Sequence, residues 1–234
     1  MVRNKYFTTG LGIYISYFML GMALILLSSN MEFVTKQLNT DVAGITFLIS
    51  IEGIVRSASV YISGRLSDKF GRKQILCLSP VFEIVFLFGI PFVHDYKMAV
   101  LLSVFAGLSH AFVDSSSYPS LMECFPETPG TATVIVKAFI AIGGIMLPII
   151  IAFFVNRNMF YGNTFFLIAI MYLINSLFLF TRKFPKPNQA EVSEDGKILN
   201  EKNFISEPVL KKEGLTIIII GFTSNAIYTA FQIW

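Results

Sequence analysis

Long apolar runs alternate with short polar interruptions along most of this chain. Seven runs stand out, at Phe7–Leu27, Val42–Ser63, Ile75–Val93, Met98–Tyr118, Thr131–Val155, Tyr161–Thr181 and Leu215–Trp234. Each approaches the ~20 residues with which a helix crosses a hydrocarbon core. Backbone N–H and C=O groups find no water there, so each run is expected to be helical. The runs are too long and unbroken for barrel strands, which alternate lipid-facing and lumen-facing positions. Residues 182–214 break the pattern. Phe184-Pro185-Lys186-Pro187-Asn188-Gln189 opens a segment of mixed charge that closes on Lys211-Lys212-Glu213-Gly214. This segment reads as a linker, part disordered and part amphipathic at the membrane surface. The predicted architecture is an all-α membrane protein with a six-helix bundle at 1–181, a linker at 182–214 and a seventh transmembrane helix at 215–234.

The cations orient this arrangement. With the N-terminus inside, one face holds Arg3, Lys5, Arg65, Lys69, Arg72, Lys73, Arg182, Lys183, Lys186, Lys197, Lys202, Lys211 and Lys212. The opposite face holds Lys36, Lys97 and Arg157, while Arg56 and Lys137 fall inside predicted helices. This bias predicts a multi-pass protein of the cell (plasma or inner) membrane with a cytoplasmic N-terminus. It also opposes a seven-helix receptor, whose N-terminus would lie outside.

Composition agrees with lipid as the solvent: 54% of residues are hydrophobic and 14% charged, and there are 24 Phe. The cations sit in short interhelical segments rather than on one continuous face, which argues against a nucleic-acid partner. Cys77 and Cys124 suggest neither a disulfide framework nor a metal site. The first apolar run is too long for a signal peptide, and no small-residue cleavage site follows it. No phosphate-binding Gly-x-x-x-x-Gly-Lys-Ser loop occurs, so ATP-driven chemistry has no support and no cofactor is expected. The Asp, His and Ser residues near position 114 lie along one membrane helix, without the sharp turn that exposes a hydrolase nucleophile. No enzyme activity is predicted.

Between the second and third runs lies Gly64-Arg65-Leu66-Ser67-Asp68-Lys69-Phe70-Gly71-Arg72-Lys73-Gln74-Ile75-Leu76. One acid stands among four cations, bracketed by glycines, and the stretch reads as a short basic turn. The pattern Gly-x-Leu-x-Asp-(Lys/Arg)-x-Gly-Arg-Lys-x-x-Leu resembles the cytoplasmic loop signature of the major facilitator superfamily of secondary transporters, and it lies in the same slot. The resemblance implies two six-helix bundles that rock about a midplane site. It makes Gly64, Leu66, Asp68, Lys69, Gly71, Arg72 and Lys73 a gating loop, with Asp68 facing a helix of the second bundle. It also implies that this sequence is the first half of a longer fold, whose second six-helix half would be its partner.

Ionisable residues within a bilayer are costly and are functional candidates for that reason. They are Glu52 and Arg56 in the second run, Glu83 in the third, Asp114 in the fourth and Lys137 in the fifth. Glu52 and Arg56 share a helix face at i, i+4 and can neutralise each other or serve transport. Asp114 and Lys137 both fall roughly 10–14 Å from the inner helix ends at ~1.5 Å per residue. Arg56 reaches a similar depth. Asp114 is thus expected to pair with Lys137, with Arg56 as the next candidate, either as a fixed salt bridge or as a proton carrier. His110, one turn before Asp114, is a relay candidate or a packing residue. The acid, small residues and Pro119 of the fourth run resemble the fucose permease group, in which an acid here takes part in proton coupling. That group's first-helix acid has no counterpart in this chain, and Ser103 stands about where the family's fourth-helix arginine would fall.

Tyr14, Tyr17 and Gly21 on the first run, and Asn225, Tyr228 and Gln232 on the seventh, recur at i, i+3, i+7. Each set forms one face. In the resembled family these helices line the central cavity, which makes the polar residues substrate contacts; packing between helices is the alternative. The resulting expectation is a secondary active transporter of a small organic solute, working by alternating access and coupled to protons. The alternatives are a drug/proton antiporter and a non-transporting seven-helix assembly partner.

Overall fold

In a computed structural model, residues 5–185 are described. They belong to a compact unit that ends at Pro185. The expected linker beyond Pro185, the expected seventh helix, and Asn225, Tyr228 and Gln232 lie outside the described residues.

Eight helices follow in order: α1 (Phe7–Leu24), α2 (Leu26–Ser29), α3 (Met31–Leu38), α4 (Val42–Phe70), α5 (Arg72–Gly89), α6 (Tyr96–Cys124), α7 (Pro129–Asn156) and α8 (Gly162–Thr181). A 3₁₀ turn at Ile90–Phe92 extends α5. Six of these segments are long and apolar enough to cross a membrane: α1, α4, α5 with its extension, α6, α7 and α8. They correspond to the first six apolar runs. The chain enters α4 through Asp41, whose side chain accepts the Gly44 N–H at 2.9 Å, a standard helix start.

Between the first and second spans the chain folds into α2 and α3, which the apolar runs do not mark. One feature departs from the sequence reading: the expected basic turn at 64–76 is mostly helix. Gly64 through Phe70 form the last two turns of α4, and α5 starts at Arg72. The reversal is confined to Gly71, whose φ of +99° is a conformation that side chains rarely adopt. Arg65, Leu66 and Lys69 are good helix formers outside the bilayer as well, so hydropathy marked the end of lipid rather than the end of α4.

Successive spans alternate in direction, so α4 and α6 run the same way and pack along one another. Helix α6 also packs on α5 and α1, while α7 lies mainly on α1. Small residues permit the closest crossings. A Cβ added at Gly143 of α7 would fall on the Phe18 carbonyl of α1, and one at Gly21 on the Ile140 carbonyl of α7. Gly143→Leu is therefore expected to force the two backbones apart. The cost should be about 1–3 kcal/mol, read as a lower thermal midpoint in detergent. Gly144→Ala, whose only near neighbour is 3.9 Å away, should be close to neutral.

At the end opposite Gly71, Gln37 of α3 donates to the Ile90 and Val93 carbonyls at 2.7 and 2.5 Å and accepts from the Tyr161 hydroxyl. Burial pushes the Tyr161 phenol up to about 12, so it keeps its proton for this bond at neutral pH. Two buried clusters fill the bundle. One centres on Met22, Leu48, Phe86 and Phe165, the other on Ile13, Tyr17, Leu76 and Leu121.

Candidate functional site

Three polar layers cross this apolar bundle. At the Gly71 end, Arg72 opens α5 and pairs with Glu123 at the end of α6. Both side chains are largely enclosed, at 19% and 17% exposure. Asp68 is exposed on the last turns of α4 and lies within electrostatic reach of Glu123. Lys73 sits over the Phe180 ring of α8, 5.3 Å from its centroid. The other loop residues are less enclosed: Lys69 is exposed, Leu66 is half-buried, and Gly64 has no neighbour within 4 Å of where a Cβ would stand.

The second layer is built on α4, α6 and α1. Arg56 donates to Asp114 Oδ2 from Nε at 2.8 Å and from Nη2 at 2.6 Å. Asp114 Oδ1 accepts the Tyr17 hydroxyl at 3.3 Å. Tyr17 is fully buried, and its ring lies 5.5 Å from that of Tyr118. Paired charges at this depth offset part of the desolvation that each would suffer alone. The Arg–carboxylate contact is the arrangement of α4 and α6 that a change of charge on Asp114 would release.

This geometry corrects the expected pairing of Asp114 with Lys137. Lys137 is exposed on α7, and the acid is taken by Arg56. Helices consecutive in sequence need not be the closest neighbours: α7 packs mainly on α1, whereas α4 lies along α6. Glu52 and Arg56 do not form the i, i+4 pair either, because Arg56 is engaged by Asp114. His110 pairs with Glu83, not Asp114, with Nε2 3.4 Å from Oε2.

Glu52, Glu83 and His110 form the third layer, one helical turn from the second. All three are buried, at 6%, 0% and 1% exposure. Glu83 was visible in the sequence as an intramembrane acid, but nothing in α5 alone named its neighbour. Gly107 lets α4 approach α6 beside this layer, since a Cβ there would stand 2.7 Å from the Glu52 carbonyl oxygen.

Tyr14 and Tyr17, expected on a cavity wall, are packed inside the bundle. The Tyr14 hydroxyl donates to the Ala132 carbonyl of α7 at 2.9 Å, and its ring stacks on Phe139 at 5.1 Å. Their spacing correctly puts them on one face of α1, but that face meets α6 and α7. Among the described residues, no three His, Cys, Asp or Glu side chains are placed to hold a metal ion.

Residues 13–234 match the family model described as Major Facilitator Superfamily. The chain is 44% identical over 226 residues to the Uncharacterized MFS-type transporter YfkL of Bacillus subtilis (strain 168), covering 97% of this chain and 57% of that one. It is 32% identical over 240 residues to the Inner membrane transport protein YdiN of Escherichia coli (strain K12), covering 100% of this chain and 56% of that one. With the Inner membrane transport protein YdiM of the same strain it shares 38% identity over 184 residues, 79% of this chain and 46% of that one. The chain thus spans about half the length of these relatives.

Proposed function

The chain belongs to the major facilitator superfamily, and from that membership we propose that it forms one bundle of a secondary active transporter for a small organic solute. A second bundle completes the transporting unit, and the two rock about a site near the bilayer midplane. Transport is coupled to protons, and the N-terminus lies in the cytoplasm.

The observation that carries this reading is the Arg56–Asp114 pair, an ion pair held between α4 and α6 at membrane depth. Protonation of Asp114 removes the charge that holds Arg56, and deprotonation restores it. A solute that favours one arrangement of the bundle therefore changes the acid's affinity for a proton, which is what coupling requires. Tyr17 supports the pair by fixing the second carboxylate oxygen. At the Gly71 end, Asp68 and the Arg72–Glu123 pair act as the gate latch, with Asp68 free to meet the second bundle.

Lys137 supports alternating access from another direction. It is exposed about eight residues into α7, roughly 12 Å from its start at 1.5 Å per residue. Among the described residues it has no ion-pair partner, and such a cation at that depth avoids lipid and faces water or another bundle. Lys137 therefore lines the aqueous path. In the transporting unit with Cys77 and Cys124 replaced by Ser, Lys137→Cys should react with a membrane-impermeant thiol reagent added from either side. Reaction from only one side, with every solute tried, would contradict alternating access at this residue.

The cation bias gives the orientation test. A cysteine at Asn158, between α7 and α8, should be labelled in intact cells. A cysteine at Asp68 should be labelled only after the membrane is opened. The reverse labelling would overturn the proposed topology.

A further inference from the structure

Glu52 and Glu83 are two carboxyl groups buried in one bundle, close enough for their charges to interact. Among the described residues, neither has a Lys or Arg within ion-pair distance, since Arg56 is engaged by Asp114. Within the same described residues, both oxygens of Glu83, one oxygen of Glu52 and His110 Nε2 lack a hydrogen-bond partner of good geometry. The Tyr172 hydroxyl of α8 points to the same need. It is 1% exposed, finds no hydrogen-bond partner among the described residues and lies within electrostatic reach of Glu83.

Leaving two carboxylates ionised here would place a double negative charge in a low-dielectric bundle, with a heavy desolvation cost for each ion. A dissolved metal ion is a poor answer, because the acids and the imidazole do not converge as ligands. Protons are the remaining answer. A protonated carboxyl is neutral and gains a donor, which meets the unpartnered acceptors around it.

We propose that Glu52, Glu83 and His110, faced by Tyr172, form a proton-binding site one helical turn from Asp114. This rests on the transporter reading only for the use made of the proton. At neutral pH the site holds a proton on a carboxyl. In transfer, the O–H bond at Glu83 Oε2 breaks and an N–H bond forms at His110 Nε2, leaving a carboxylate and an imidazolium. His110 and Asp114 share a face of α6 at i, i+4. The imidazolium can therefore pass a proton on when Asp114 parts from Arg56. Among the described residues, Tyr172 on α8 faces the site and lies within electrostatic reach of Arg56 on α4, which belongs with Asp114 on α6 and Tyr17 on α1 to the neighbouring layer.

The test is infrared spectroscopy of the protein reconstituted in lipid. The carbonyl stretch of a protonated carboxylic acid should be present at neutral pH. It should shift on transfer to D₂O and be lost when Glu52→Gln and Glu83→Gln are combined. Tyr172→Phe, which removes only a hydroxyl, should move the band without abolishing it, and this variant keeps the test decisive if the double variant does not fold. Absence of the band in the unaltered protein would overturn the proposal. So would its survival in the double variant, its failure to exchange in D₂O, or its indifference to Tyr172→Phe. The readout needs no solute and no second bundle. Its failure would therefore remove the proton site while leaving the transport reading intact, and a failure of solute-driven proton entry would do the reverse.

Discussion

Asp114→Asn is expected to lower the stability of the bundle by about 3 kcal/mol, the low end of what breaking a buried ion pair costs. The low end is appropriate because Arg56 retains 29% exposure and can draw some water. The loss arises less from the missing attraction than from a guanidinium left uncompensated between α4 and α6. Asp114→Asn combined with Arg56→Gln should therefore recover more than half of it, since two neutral amides can bond each other. Asp114→Asn combined with Lys137→Gln should recover nothing, because Lys137 is not the partner. Thermal unfolding in detergent reads all three. A double variant with Arg56→Gln no more stable than Asp114→Asn alone would show that the pair contributes little.

The second large effect is expected at the Gly71 end. Arg72→Gln or Glu123→Gln should each cost about 2 kcal/mol, between the exposed and buried limits for an ion pair. Exchange of the two charges, Arg72→Glu with Glu123→Arg, should restore most of the loss. The exchange tests geometry rather than composition, because the net charge is unchanged. Sensitivity to salt should be small, since both side chains are largely enclosed. If the exchanged protein were as unstable as the single variants, the contact would be incidental to how α5 meets α6.

These two pairs show what could be read from the chain and what could not. The six spans were legible because lipid imposes a single demand, ~20 apolar residues in a self-satisfied helix. The helix ends were not, because that demand lapses where water begins. Gly64–Phe70 continues α4 on ordinary helix propensity until Gly71 breaks it. The candidate residues were legible one at a time, since Glu52, Arg56, Glu83, Asp114 and Lys137 each stand out in an apolar run. Their partners were hidden. Depth alone made Lys137 as good a match for Asp114 as Arg56, and only the packing of α4 along α6 separates them. Periodicity likewise put Tyr14 and Tyr17 on one face of α1 but could not say that α6 and α7 cover that face. Glu83 is the sharpest case: its acid was plain in the sequence, whereas the imidazole and phenol around it come from α6 and α8.

The central claim is that a charge change on Asp114 links solute movement to proton movement. The direct measurement uses vesicles that hold the transporting unit and a trapped pH-sensitive dye, exposed to a panel of small organic solutes. The unaltered protein should admit protons when one of those solutes is added. The variant carrying both Asp114→Asn and Arg56→Gln, although folded, should admit none. Solute-driven proton entry in that variant, equal to that of the unaltered protein, would contradict the account.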